Sequence, residues 1–314
     1  MGMPRSAWFA VLLAVAPVAG AAAVESREPI RIAVHDWTGQ QITARLAGGI
    51  LERMGYTVRY VVTDYLKGLE AVIAGRVTLE TEQWDTTAHE AIARAEATGK
   101  VERLGALGPR AVEDWWYPLY MKERCPGLPD WRALLQCGEA FATPDTAPKG
   151  RYLGLPGVWG GNDQERIEAL GLPFVMVDAL NEEAMFADLR DAYARKAPLM
   201  VWVYSPHWIG ARFAGEWVQF PKYEPACYTD PKWGINPDKA YDCGKPSGQI
   251  WKFAATDMAK KWPAAHRMMK QFRIAASELE GLVAEVDLER QPVPAVAARW
   301  IAEHEAQWKP WTVP

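Results

Sequence analysis

Four aromatic residues stand at or just beyond the carboxyl ends of predicted β-strands, in turns that contain Gly, Pro and Thr. They are Trp37, Trp84, Trp159 and Tyr204. Aromatic faces carry partial negative charge, so several converging faces can bind a bulky, weakly hydrated cation such as a trimethylammonium group. Any one of these rings alone is better explained as a plug at the end of a core. Four at equivalent positions favour a shared cage for a cation.

Other side chains near these turns could complete such a cage. His89 could donate a hydrogen bond to a ligand carboxylate, although a place on a helix surface explains it more simply. Tyr117 could furnish a further wall, and a core strand that includes Trp115 and Trp116 accounts for it equally well. Three acids could attract the cation or could instead be helix caps and solvated loop residues: Asp36, Asp85 and Glu113.

The sequence lacks the common catalytic motifs. Its five histidines form no HExxH pair, and no GxSxG, P-loop or GxGxxG pattern occurs. Ser205 lies two residues from His207, but nearness in sequence does not supply the geometry of a triad. Asp230, Asp238 and Asp242 could hold a hard cation, yet solvated loop acids are the simpler interpretation. We predict no catalytic residue, no metal and no cofactor; an enzyme acting on methylamines is the alternative.

The elements that must position these residues alternate between strand and helix. Hydrophobic runs predict strands at 30–34, 56–62, 77–81, 115–121, 152–155, 174–177 and 199–204. Periodic apolar positions predict helices at 41–54, 66–74 and 182–196, one opening at 163, and a helical tail from 257. This alternation is typical of α/β proteins with parallel sheets, which bind ligands beyond the carboxyl ends of their strands.

About 290 residues after leader removal exceed what one ordinary core usually fills, so two α/β lobes with a ligand cleft between them are expected. The first lobe is predicted to contain residues 24–113 together with about 228–314, and the second lobe residues 114–227. The chain would cross near Glu113 and return between 219 and 251. The C-terminal helices would then pack on the first lobe.

Residues 1–23 have the features of a cleaved signal peptide. Arg5 precedes an apolar run from 7 to 20, and three alanines follow at 21–23. The run is shorter than the roughly 20 residues that span a bilayer, although an uncleaved anchor is the alternative. We therefore predict an exported, periplasmic protein. Its 35 basic and 39 acidic residues argue against nucleic acid or an anionic membrane as a partner.

Export to an oxidising compartment favours disulfides, and the four cysteines fall in two close pairs. Of the three possible pairings, we predict Cys125–Cys137 and Cys227–Cys243, each closing a short loop rich in Pro and Gly. A zinc site is the rival interpretation, but the spacing of its usual ligands is absent.

Four short motifs resemble those of the glycine betaine/choline/trimethylamine N-oxide family of ABC-importer binding proteins. They are DWTGQ at 36–40, EQW at 82–84, WGGND at 159–163 and YSPHW at 204–208. The resemblance extends from about residue 30 to 251 and implies a periplasmic-binding-protein-like, type II fold whose two lobes close over the ligand. It implies that Trp37 and Trp84 are box residues of the first lobe and that Trp159 and Tyr204 are those of the second.

The same resemblance implies a function in transport. The ligand would be glycine betaine, choline, carnitine or trimethylamine N-oxide, and the partner an ABC permease in the inner membrane; the protein would act as a monomer. Tyr204 departs from the pattern, since relatives often carry Trp before x-Pro-His. Asn162 resembles the polar contact of choline binders, whereas backbone N–H groups at 160–163 would suit a carboxylate. A sensor module that presents ligand to a receptor is a further alternative.

Overall fold

The structure, a computed structural model, describes residues 24–313, so the predicted signal peptide at 1–23 lies outside the described residues. Strands and helices alternate along the chain, which confirms the predicted α/β class. The strands are β1 (Ile30–Val34), β2 (Val58–Val62), β3 (Leu79–Trp84), β4 (Val101–Pro118), β5 (Gly150–Gly154), β6 (Phe174–Asp178), β7 (Met200–Ser205), β8 (Gly215–Trp217) and β9 (Gly248–Ala255).

Within the described residues, seven helices are at least seven residues long, and the others are shorter. The long ones are α1 (Thr38–Arg53), α3 (Asp85–Ala97), α6 (Asp163–Ala169), α7 (Glu182–Ala194), α11 (Pro263–Gln271), α12 (Ala276–Asp287) and α13 (Val293–Glu303). The short ones are α2 (Gly68–Ile73), α4 (Met121–Arg124), α5 (Leu134–Cys137), α8 (Ile209–Arg212), α9 (Pro225–Thr229), α10 (Met258–Lys261) and α14 (Glu305–Trp308). None of these helices is long and apolar enough to cross a membrane.

One long strand joins two parts of the sheet, whose order is β2-β1-β3-β9-β4-β7-β5-β6, with β8 on β4. Residues 101–111 of β4 pair with β9, and together with β1, β2 and β3 they make the first part. Residues 112–118 pair with β7 and β8, and together with β5 and β6 they make the second part. The lobe boundaries predicted from the sequence, 24–113 with about 228–314 and 114–227, remain a prediction.

The sheet is mixed, whereas the sequence indicated parallel pairing. The predicted strands β1, β2 and β3 are parallel, as are β5, β6 and β7, but β4 and β9 run antiparallel to their neighbours. Most of β4 and all of β9 were not predicted, because Gly105, Gly108 and Pro109 suggest a turn. The structure accommodates them at two register shifts in the β4–β9 ladder, where both glycines have positive φ.

The strands of the first part lead straight into helices. Trp37 and Trp84, the residues before α1 and α3, have extended backbone conformations and occupy the N-cap positions. Helix α1 is buried along most of its length because the sheet covers one side and α12 and α13 cover the other. Gly48 allows this packing, since a Cβ there would lie 2.2 Å from the Tyr60 hydroxyl. The two tryptophans are therefore held between a strand end and a buried helix.

Both predicted disulfides are formed: Cys125 bonds Cys137 and Cys227 bonds Cys243. The second closes a loop that Asp242 also holds, because this buried carboxylate accepts the backbone N–H of Asn236 at 2.8 Å. Asp242 thus has a structural partner in place of a metal. Among residues 24–313, no group of three or more His, Cys, Asp and Glu is placed to hold a metal ion.

Substitution of Gly108 tests whether the bulge in β4 depends on a glycine at this position. The φ of Gly108 is 130°, and a Cβ would lie 2.4 Å from the Ile274 carbonyl oxygen. Gly108→Ala should lower the free energy of unfolding by about 2–4 kcal/mol, because backbone strain and a backbone clash add. Gly281→Ala is the control: it lies within α12 with open space around it, and should stabilise by about 0.5–1 kcal/mol. Chemical denaturation measures both, and equal stability of the two variants would contradict this account.

Candidate functional site

A small, mostly apolar cavity lies where the two parts of the sheet meet. Aromatic side chains dominate its wall, and all four aromatics predicted from sequence are among them. The lining residues are Trp37, Tyr65, Trp84, Thr87, Glu113, Leu155, Trp159, Trp202 and Tyr204. The cavity draws on both parts of the sheet and on the strand that joins them.

Strand ends place the predicted aromatics. Trp37 follows β1 and Trp84 ends β3; the two strands are parallel neighbours, so their rings meet at one edge of the sheet. Trp159 ends the single turn Gly157–Trp159 after β5, and Tyr204 lies near the end of β7. Because β5 and β7 are also parallel, these two rings share an edge as well. The two edges face each other across the cavity.

Six rings surround the cavity in a closed circuit, which we call the aromatic box. In order they are Tyr65, Trp37, Trp159, Trp202, Tyr204 and Trp84, with neighbouring ring centroids 5.1–5.8 Å apart. Most neighbours meet edge to face, the arrangement that aromatic quadrupoles prefer. The backbone N–H of Trp84 donates to the Tyr65 hydroxyl at 3.1 Å and closes the circuit. The rings thus hold one another in place.

Carboxylates bond the polar edges of four of these rings. Glu82 accepts the indole N–H of both Trp37 and Trp84 through one oxygen, each at 3.2 Å, and the Thr43 hydroxyl through the other at 2.9 Å. Asp36 accepts the indole N–H of Trp159 at 2.7 Å. The Tyr204 hydroxyl donates to Glu182 in the same way. Since the polar edges are satisfied elsewhere, the faces are available to a ligand.

Burial raises the pKa of Glu82 to about 7, and the hydrogen bonds from Thr43 and the two indoles offset part of that effect. Glu82 does not line the cavity, so it orients the rings without touching what lies between them. When Glu82 is ionised, its negative charge behind the indoles adds to their attraction for a cation.

Glu113 is the acidic residue of the cavity lining. It is 4% exposed, and its Oε1 has no hydrogen-bond partner within the described residues. Burial raises its pKa to about 7, although the charge of Lys245 lowers the value in part. A buried carboxyl group without a partner is costly unless a ligand or water completes it. Glu113 is therefore positioned to bond the polar end of a ligand.

Two of the residues predicted to bind ligand lie outside the cavity lining. Tyr117 is fully buried and donates to Glu216 at 2.8 Å; four residues of extended chain carry it roughly 13 Å along β4 from Glu113. Asn162 is half-buried at the N-cap of α6, beyond the positive-φ turn that follows Trp159. Of the other candidates, Asp85 accepts the indole N–H of Trp251 at 2.6 Å, and the ring of His89 lies near Tyr228.

Sequence reasoning missed four lining residues: Tyr65, Thr87, Leu155 and Trp202. A signal was present for Trp202, because it lies two residues before Tyr204 on a predicted strand and must share its face. Tyr65 belongs to a single helical turn, Tyr65–Lys67, where no periodicity indicates which way a side chain points.

Comparison with known proteins identifies relatives of this chain by sequence. The sequence model of the family described as the substrate binding domain of ABC-type glycine betaine transport systems matches residues 28–303. A trimethylamine N-oxide-binding protein of Pelagibacter ubique (strain HTCC1062) is 32% identical, over 96% of this chain and 97% of that protein.

Solved structures show a similar fold. Lactococcal OpuAC in its closed-liganded conformation with glycine betaine has a TM-score of 0.72 at 14% identity, covering 91% of this chain and all of that one. The glycine betaine/L-proline-binding protein ProX from Borrelia burgdorferi has a TM-score of 0.72 at 16% identity, covering 91% of this chain and 97% of that one. A choline-binding protein in complex with choline has a TM-score of 0.69 at 16% identity, covering 90% and 91%.

These matches confirm the predicted periplasmic-binding-protein-like fold and the resemblance based on the aromatic motifs. The chain belongs to the family of substrate-binding domains of ABC-type glycine betaine transport systems.

Proposed function

We propose that this protein captures trimethylamine N-oxide in the periplasm and delivers it to an ABC permease. The observation that carries the proposal is the aromatic box around a cavity whose acidic residue, Glu113, is buried with one oxygen, Oε1, that has no hydrogen-bond partner within the described residues. The rings suit the methylated nitrogen, and Glu113 suits a single oxygen beside it.

The wall favours a ligand whose positive charge is spread over methyl groups. Such a cation is weakly hydrated, and each desolvated aromatic face contributes on the order of 2 kcal/mol to its binding. Three or four faces contribute roughly 6–8 kcal/mol, close to the net free energy of a micromolar complex, and burial of the methyl groups adds to this to offset the cost of association. Box rings come from both parts of the sheet, so a ligand between them would be enclosed on all sides.

The polar end of the cavity favours an N-oxide over a carboxylate. Within the described part of the chain, the cavity lining contains no Lys, Arg or His that could pair with a carboxylate. Glycine betaine or carnitine would instead bring a second carboxylate towards Glu113. A protonated Glu113 can donate a hydrogen bond to the N-oxide oxygen, and its pKa of about 7 makes that form available near neutral pH. The relative at 32% identity, named for trimethylamine N-oxide, supports this choice.

Choline is the second candidate. An ionised Glu113 would accept its hydroxyl and attract its charge, and a choline-binding protein shares the fold. The two ligands need opposite protonation states of Glu113, which makes them distinguishable by pH.

Capture would couple to closure of two lobes, 24–113 with about 228–314 and 114–227, around β4. Related proteins have been seen in a closed-liganded and in an unliganded semi-closed conformation. The predicted leader at 1–23 would export the chain, and the mature protein would act as a monomer. Ligand-dependent stimulation of the permease ATPase would distinguish delivery from a sensory function, and an assay for product would detect turnover of a methylamine.

Calorimetric titration of the mature protein tests the proposed ligand. Trimethylamine N-oxide should bind with roughly micromolar affinity, and glycine betaine and carnitine at least about tenfold more weakly because their carboxylates face Glu113. Proline is the negative control. Tightest binding to glycine betaine, or no binding to any of these compounds, would contradict the proposal.

The same titration on two variants shows whether the box is responsible. Trp84→Ala should weaken binding roughly 30-fold, the loss of about 2 kcal/mol. Trp217→Ala removes a half-buried tryptophan of β8 outside the cavity and should leave the affinity within about twofold. Equal affinity in the two variants would exclude a cation–π site at Trp84.

The pH dependence of binding separates the two candidate ligands. The complex with trimethylamine N-oxide retains the Glu113 proton that the free protein loses as pH rises through about 7. Its affinity should therefore be constant below that pH and fall up to about tenfold per pH unit above it. Choline should show the reverse, with affinity rising through the same range. Glu113→Gln should abolish both dependences; a wild-type slope in that variant would assign the titration to another group.

Substitution of Glu82 tests whether its hydrogen bonds to the two indoles hold the rings of the aromatic box in place. Glu82→Leu leaves two buried indole N–H groups without an acceptor, which should lower the free energy of unfolding by about 2–4 kcal/mol and weaken ligand binding at least about tenfold. Glu82→Gln keeps an acceptor for both indoles and should stay close to the wild type. Thermal denaturation and calorimetry measure the two effects, and wild-type affinity in the leucine variant would show that the rings do not depend on Glu82.

A further inference from the structure

Two carboxylates converge on Thr38, the residue that follows Trp37 of the aromatic box. Its backbone N–H donates to Glu182 Oε2 at 2.8 Å, and its hydroxyl donates to Asp287 Oδ1 at 2.7 Å. Thr38 begins α1, which packs on the first part of the sheet. Glu182 begins α7, which connects β6 and β7 of the second part. The bond between Thr38 and Glu182 therefore spans the junction between the two parts.

A second hydrogen bond spans the junction, with its acceptor in the first part and its donor in the second. Asp287 ends α12, which packs against α1, and its Oδ2 accepts the indole N–H of Trp208 at 2.8 Å. Trp208 follows β7 of the second part and is 1% exposed. Glu182 in turn accepts the hydroxyl of Tyr204, a box ring. Each carboxylate thus ties one part of the sheet to the other.

These groups lie next to the ligand cavity without lining it, since Thr38, Glu182 and Asp287 are all absent from its wall. Glu182 is only 5% exposed, so its hydrogen bonds are largely shielded from solvent and contribute more than exposed ones, although the group borders a surface pocket. Glu183 and Arg290 span the same junction with an ion pair at 3.0 Å, but both side chains are largely exposed. An exposed pair of this kind contributes little.

The two carboxylates hold different protonation states, which removes most of their repulsion. Burial, and then the charge of Asp287, raises the pKa of Glu182 to about 8. Burial alone would raise the pKa of Asp287 too, but nearby His207 and the hydrogen bonds from Trp208 and Thr38 lower its pKa below the ordinary value. Burial lowers the pKa of His207, which faces Asp287 at 3.6 Å. Near pH 7 the cluster carries one negative charge, on Asp287.

We propose that Glu182 and Asp287 are positioning residues which, with Thr38, form a closure latch that holds the two lobes together around the ligand without touching it. The proposal rests on the lobe closure in the proposed function. In an open form these groups would bond to water, so the latch stabilises the closed form specifically. It also couples closure to the box, because Glu182 bonds Tyr204 and Thr38 adjoins Trp37.

A cross-linking rate tests the latch without any ligand. Glu183→Cys together with Arg290→Cys places two thiols across the junction, and the four native cysteines are already paired in disulfides. A short bis-maleimide then traps the closed form of the mature protein, and the trapping rate reports how often that form occurs. In this background, Glu182→Ala and Asp287→Ala should each slow trapping on the order of tenfold or more. Glu182→Gln, which matches the neutral carboxyl group, should restore most of the rate.

Controls separate the latch from folding and from the choice of ligand. Glu216→Gln, on an exposed carboxylate of β8, should trap at the unsubstituted rate, and the melting temperatures of the ligand-free alanine variants should stay near that of the parent. Unchanged trapping in both alanine variants, or an effect at Glu182 that glutamine does not restore, would overturn the latch. Added trimethylamine N-oxide should accelerate trapping. If it has no effect, but the ligand-free rates still depend on Glu182 and Asp287, the result contradicts the proposed ligand and supports the latch.

Discussion

Carboxylates bond the polar edges of four of the six rings in the aromatic box, which leaves the faces of those rings to form the wall, and one buried carboxylate does this for two rings at once. Glu82 accepts both indole N–H groups of the first part of the sheet. It can do so because Glu82 and Trp84 lie two residues apart on the buried strand β3, and Trp37 follows its parallel neighbour β1. Glu80 pairs with His35, and the His35 ring stacks on Trp37. The orientation of the box is therefore set within a single strand and its parallel neighbour.

The same arrangement repeats across the cavity with different partners. Asp36 holds Trp159 and Glu182 holds Tyr204, so carboxylates surround a site that binds positive charge through aromatic faces. Glu113 differs from them because it lines the cavity and has an oxygen to spare. It also lies where β4 changes partner, one residue after pairing passes from β9 to β7. The polar end of a ligand would thus meet the strand around which the two lobes are proposed to close.

The sequence predicted the aromatics that follow parallel strands, because strand ends and turn residues are local signals. It predicted the disulfide pairs for the same reason, since each closes a short loop. The sequence did not predict most of β4 or any of β9. Glycines such as Gly105 and Gly108 of β4 usually indicate turns, but here they lie at register shifts in the long β4–β9 ladder. Tyr117 was placed in the box because its type suits one, yet β4 carries it roughly 13 Å along the strand from Glu113, where it bonds Glu216. The roles of Glu82 and Glu182 depend on contacts between residues far apart in the chain, 45 positions in the case of Trp37 and Glu82, and no local pattern encodes them.

A crystal structure of the mature protein with trimethylamine N-oxide tests the central claim most directly. The account predicts the three methyl groups against Trp37, Trp84, Trp159 and Tyr204, with the N-oxide oxygen within hydrogen-bonding distance of a Glu113 carboxyl oxygen. A ligand bound elsewhere would contradict the aromatic box as the binding site. A ligand inside the box with its oxygen turned away from Glu113 would contradict the assigned role of that residue and the preference for an N-oxide.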